Sequence, residues 1–331
     1  MIWLTWRQLR TQATAVIAAL AALAALLAAT GPHLAGLHTT AGRGLVQQLS
    51  PTDTTLYFVG GVTVLLVPAL IGMFWGAPLV SRELETGTHR LAWNQGVTRT
   101  RWLVTKLTLT GLTAVAATAL ISLAVTWWSS PVDQAVAAGG SDNTDNFVPR
   151  IDPAIFSARG IVPLGYAAFA FALGVLFGIV IRRTLPAMAA TLATYTAALL
   201  SMPMWIREHL APATTITVPF THDRMANYLL DSVSHIDTGK PDVWVTAEQT
   251  LDATGHPAHA MPPAYTHCES IKSCIDALAK AGYHQRVTYQ AADNFWPLQW
   301  AEIGVFLGLA VGLGVLGVWW TRKRLLKVSV Q

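Results

Sequence analysis

The sequence predicts an all-α polytopic membrane protein, with six transmembrane helices and a small extracellular α+β domain between the fifth and sixth. Three observations predict it. Hydrophobic residues make up 53% of the 331 and charged residues only 12%, roughly half the ~25% charge of a soluble domain. Six charge-free stretches approach or exceed the ~20 residues a helix needs to cross ~30 Å of hydrocarbon. Lysine and arginine, finally, gather on one side of those stretches, as cytoplasmic loops do. A mean hydropathy of +0.43 excludes a conventional soluble enzyme, a disordered chain and a disulfide-knotted secreted domain.

The spans run from Ala13 to Thr30, Thr54 to Val80, Leu107 to Val132, Gly160 to Ile181, Thr184 to Ile206, and Ile303 to Thr321. Residues 13–132 thus hold the first three, 160–206 the fourth and fifth, and 298–321 the sixth. Barrel strands would alternate apolar and polar residues over ~10-residue segments, and no stretch does so. The first span has an alternative as a cleaved signal peptide, because Met1 to Arg10 is cationic. Its apolar core exceeds the ~7–15 residues of a signal region, which favours an uncleaved helix. Gly174-x-x-x-Gly178 and Gly304-x-x-x-Gly308-x-x-x-Gly312 read as close helix contacts.

With both termini in the cytoplasm, thirteen of the 22 cations and two of the 18 acids lie inside. Residues 1–12, a loop over 81–106, an Arg182-Arg183 turn and a basic tail over 322–331 make up that side. Outside lie a loop over 133–159 and a segment over 207–297. In the latter, Ile271 to Ala281 has helical spacing, while Asp242 to Thr246 and Arg286 to Tyr289 read as strands.

Both cysteines, Cys268 and Cys274, fall in that outer segment. They are either a disulfide stapling the domain or two free thiols, and an oxidising compartment favours the bridge. Nine of the ten histidines lie outside as well, but His256-Pro-Ala-His259 has no accompanying carboxylate and reads as solvated surface. No nucleophile elbow and no Gly-x-x-x-x-Gly-Lys-[Ser/Thr] phosphate loop occurs. The chain is therefore expected to be no enzyme, with no catalytic, cofactor or metal site of its own. An energy source, if it is ATP, has to sit in another subunit.

The most informative stretch is Ser81-Arg-Glu-Leu-Glu-Thr-Gly-Thr-His-Arg-Leu-Ala-Trp-Asn-Gln-Gly-Val-Thr-Arg-Thr-Arg-Trp102. Glu83 and Glu85 are the only acids on the basic side. They are either a partner surface or capping carboxylates of a solvated loop. At these residues, Arg-Glu-x-Glu-x-Gly-Thr followed by Val-Thr-Arg, the sequence resembles the cytosolic loop of type-2 ABC exporter permeases. Further matches resemble an actinobacterial subgroup of them, here with a large extracellular loop: Met1-Ile-Trp-Leu-Thr-Trp-Arg-Gln8, Gly160-Ile-Val-Pro-Leu-Gly-Tyr-Ala-Ala-Phe-Ala-Phe-Ala-Leu-Gly174, Ile181-Arg-Arg-Thr-Leu-Pro-Ala-Met188 and Phe295-Trp-Pro-Leu-Gln-Trp300.

The resemblance implies a membrane subunit of an ATP-driven exporter in the cell membrane. It implies two copies of a cytosolic ABC ATPase that holds ATP and Mg, and a second, identical permease half. Glu83, Glu85, Gly87, Thr88 and Trp93 would dock the ATPase, and residues 1–12 would lie along the interface as a connecting helix. The segment between the fifth and sixth spans would include a re-entrant part. The pathway would run between the halves along the second and fifth spans, where Tyr57, Phe58, Met73, Phe74, Met188, Tyr195 and Met202 offer an adaptable apolar lining. A hydrophobic or amphipathic small molecule or peptide follows as cargo; membrane lipid is a partner and nucleic acid is not. Glu302, at the outer start of the sixth span, is either a helix cap or an exit gate. The rival class is a non-transporting membrane sensor or resistance accessory whose outer domain binds a ligand.

Overall fold

The computed structural model describes residues 2–86, 99–140, 147–221, 238–240, 242–260, 263 and 270–324. Helix α1 spans Ile2–Ala41. No glycine or proline precedes Gly31, so nothing interrupts the helix up to that point, and the residues expected to lie separately along the interface continue into the first span; the helix also carries on through Pro32. At 1.5 Å per residue it is about 60 Å long, twice the hydrocarbon thickness, so one end stands clear of the bilayer.

Helix α2, Pro51–Ile71, starts three residues before the expected Thr54, because Ser50 and Asp53 form a reciprocal capping box and Pro51 occupies the first turn. It passes through a π-helical segment, Gly72–Gly76, into α3, Ala77–Glu85. Helix α4 covers Arg99–Ala137, α5 Val162–Ile181 and α6 Thr184–Ser201. Arg182, at φ 58°, is the one described non-glycine residue with positive φ, and it makes the tight turn from α5 to α6. A second π-helical segment, Met202–Ile206, continues α6. Among the described residues six helical segments are long and apolar enough to cross a membrane, one for each expected span.

Helix α5 is at the centre, against α2, α3, α4, α6 and its later neighbour α8, Phe295–Arg324. Glycines bring its backbone into contact with the second span. A Cβ on Gly76 would lie 2.6 Å from the Phe171 carbonyl oxygen, and one on Gly72 2.7 Å from that of Ala170. The expected contact at Gly174 and Gly178 is thus present, while Gly304, Gly308 and Gly312 meet no described atom within 4 Å.

The extramembrane domain is a three-stranded antiparallel sheet of order β1-β3-β2, with β1 Thr214–Pro219, β2 Val243–Leu251 and β3 His284–Ala291. Helix α7, Ile271–Lys280, covers one face. Its Ile275 and Leu278 pack on Val218, Val287 and Tyr289. Two strands and the helix match the expectation from sequence; β1 is additional. Gln290 and Asn294 tie the domain to the chain as it leaves the fifth span, their side-chain amides donating to Ala211 O at 3.0 Å and Pro212 O at 2.9 Å.

Exposed tryptophans mark the membrane levels. Trp300 and Trp319 stand nineteen residues apart on α8, both exposed. That is about 28 Å of helix, close to the hydrocarbon thickness. Lys323 lies 4.6 Å over the Trp319 ring, so that level belongs to the basic end.

Candidate functional site

Three features compete as the working parts: the basic end of the second span, the outward faces of α2 and α6, and two buried ion pairs at the domain end.

At the basic end α3 carries both expected carboxylates. Glu83 takes an ion pair from Lys106 at the start of the third span, whose ammonium also lies 4.9 Å over the Trp102 ring. Glu85 accepts from the Thr184 hydroxyl at 2.7 Å and from the Thr184 amide at 3.3 Å. The two acids that break the charge pattern therefore hold their own chain together. Gly87, Thr88 and Trp93 lie outside the described residues.

The expected pathway residues separate into two groups. Along α2 and into the π-helical segment, Phe58, Val62, Leu66, Leu70 and Phe74 recur every four residues and are all exposed, forming an apolar row that slants round the helix. Leu185, Leu192, Leu200 and Met204 are exposed on α6 and its continuation. Met73 and Met188 are half-buried beside these rows. Tyr57, Tyr195 and Met202 are not on them, being only 1–2% exposed. Each tyrosine turns inward because a phenolic hydroxyl in an apolar medium needs a partner. Tyr57 donates to Asp133 at 2.8 Å and Tyr195 to the Leu65 carbonyl at 3.4 Å.

The ion pairs are not evident in the sequence. Arg159 donates from Nε to Asp133 Oδ2 at 3.0 Å, and Asp133 also accepts from Tyr57 and Ser129. Arg207 grips Glu302 through two bonds, Nε at 2.7 Å and Nη2 at 3.0 Å. Ser157 accepts from Arg207 at 2.6 Å, and Tyr166 donates to Glu302. Arg207 and Glu302 are both 0% exposed. Glu302 is no helix cap, since α8 begins at Phe295 and places it two turns inside. It is the counter-ion of Arg207, and Trp300 puts the pair at the hydrocarbon edge.

Residues 156–162 pass between the two pairs. Gln299 Oε1 accepts from the Ile161 and Val162 amides at 2.9 and 3.0 Å, and Ser122 donates to the Gly160 carbonyl at 2.7 Å. Gly160 has φ +67°, and a Cβ there would lie 2.7 Å from Gln299 Oε1, so the site requires glycine. Nearby, burial pushes the Asp242 carboxyl at the start of β2 up, against the opposing pull of Arg150.

Among the described residues no three His, Cys, Asp or Glu side chains come together as a metal site. The bundle has an apolar face, braced helix ends and a loop between the second and third spans. The sequence model of the family described as ABC-2 membrane transporter related matches residues 17–207, more than half of the chain. The chain belongs to that family. It is a multi-pass membrane permease component of an ABC transporter, and such a permease works with an ABC ATPase subunit. The match starts within the first span, runs through the fifth and stops at Arg207, before the sheet domain and α8. No curated protein and no solved structure matches this permease.

Proposed function

We propose that this permease is the membrane half of an exporter that moves a hydrophobic or amphipathic compound out of the cell. Two identical permease halves face one another along the α2 and α6 rows, each on one of two ATPase copies that bind ATP and Mg. The carrying observation is the unbroken exposed row from Phe58 to Phe74. Charge asymmetry supports placing both termini in the cytoplasm of a cell-membrane protein, with the sheet domain outside. The motifs quoted above support the actinobacterial subgroup, and the loop after α3 is read as the coupling element docking the ATPase.

Inside-out vesicles from cells expressing the chain with its ATPase are expected to take up a hydrophobic fluorescent dye only with ATP. Phe74→Ala should slow that uptake severalfold, since it opens a gap in the row. Uptake that persists without the ATPase would overturn the reading; an unaltered rate in the variant would move the pathway off α2.

An extracellular domain also supports a Cys268–Cys274 bridge. Cys274 is in the first turn of α7, and Cys268 lies outside the described residues. Peptide mass spectrometry without reductant is expected to recover the two as one linked species. Recovery of both as alkylated free thiols would refute the bridge.

A further inference from the structure

Glu85 has a role that its place beside the coupling loop conceals. Ala77, Ser81 and Glu85 recur every four residues on α3 and form one face. Ala77 meets the last turn of α5, and Ser81 and Glu85 meet the first residue of α6. A Cβ on Gly178 would lie 2.5 Å from the Ala77 carbonyl oxygen. Ser81 shares a 3.1 Å hydrogen bond with the Thr184 hydroxyl. Glu85 then closes on both the hydroxyl and the amide of Thr184.

Thr184 is the first residue of α6, and the preceding Arg183 supplies no side-chain cap. A helix N-terminus is ordinarily capped by the Ser, Thr, Asp or Asn just before it, and its dipole favours an anion. Here the anion comes from a different helix. Glu83 fastens the same turn of α3 to Lys106 of α4, so the helix end is held from two directions.

We propose that Glu85 is a positioning residue that caps the fifth span from the second, so that displacement of the coupling loop moves both helix ends as one body. This rests on the exporter reading above. It also assigns the carboxylate to this chain's own α6 in place of the ATPase surface.

In proteoliposomes holding the chain and its ATPase, Glu85→Ala is expected to lower ATP hydrolysis stimulated by the hydrophobic fluorescent dye about tenfold, the equivalent of ~1.4 kcal/mol. Glu85→Gln, whose amide oxygen still accepts, should keep most of it. Adding Ser81→Cys and Thr184→Cys to Glu85→Ala and closing the disulfide should restore it, because a covalent link replaces the strut. Wild-type stimulation in Glu85→Ala, or a closed disulfide that restores nothing, would overturn the proposal; the latter result is expected of a carboxylate that contacts the ATPase. The strut is also tested without any ATPase. Thermal midpoints of Glu85→Ala, Thr184→Val and the double variant are expected to be non-additive, and additive values would overturn it. Absence of nucleotide-dependent activity in the wild-type assembly counts against the exporter reading instead, and the thermal midpoints then decide the strut by themselves.

Discussion

Replacing Arg207 with methionine is expected to cost about 3–5 kcal/mol, because it leaves a carboxylate buried without its counter-ion. Glu302 is fully enclosed, and the neighbours that remain, Tyr166 and Ser157, bring hydroxyls and no charge. The site lies just inside the Trp300 level, where water is scarce and an unpaired ion is costly. The expected readout is a small monodisperse fraction after detergent extraction, with a lowered thermal midpoint in what survives. Arg207→Met combined with Glu302→Leu removes both charges while keeping similar volume. That pair should recover most of the loss, since well-packed apolar residues often match or exceed a buried ion pair. A single variant as stable as the wild type would show that the pair contributes nothing.

The second large effect is expected at Gly174. A methyl group there would overlap the Gly72 carbonyl oxygen and lie 2.8 Å from the Ala77 amide nitrogen. With the Gly76 carbonyl carbon at 3.1 Å, all three are backbone contacts in the π-helical passage from α2 to α3, so no side chain can swing aside. Gly174→Ala must therefore separate α5 from the second span, at the ~1–3 kcal/mol or more of an overpacked core. Gly308→Ala is the control. A Cβ there would meet no described atom within 4 Å beyond its own helix backbone, so yield and thermal midpoint should stay at wild-type values. Equal behaviour of the two variants would refute the close contact.

Six spans are legible in the sequence because lipid demands long apolar runs and leaves few other ways to satisfy the backbone. Their inner faces are not. A helix that is apolar all round has no periodicity to say which side is covered, so Tyr57, Tyr195 and Met202 read as well as Phe58 and Phe74 for a lining. The ion pairs do leave a trace. Asp133, Arg159, Arg207 and Glu302 are each the residue next to a predicted span end, and they are two acids and two arginines. Boundary charges ordinarily face water, and only proximity in the fold reveals that these four do not. Glu83 and Glu85 stand out as anomalous acids, yet sequence alone holds no sign that Lys106 and Thr184 claim them. Strand β1 escapes notice because it is short, threonine-rich and ends in a proline, a weak signal for an edge strand.

The knot formed by Arg207, Glu302, Gln290 and Asn294 fixes where the chain leaves the bilayer and where it returns. What is strung between those two fixed points then matters little to the helices below. Doubling the length of a closed loop adds only about 0.6 kcal/mol of entropy, so a short hairpin and an entire folded head impose nearly the same burden. Such a stem lets the exposed ornament be exchanged, enlarged or trimmed while the machine embedded in the lipid keeps its shape.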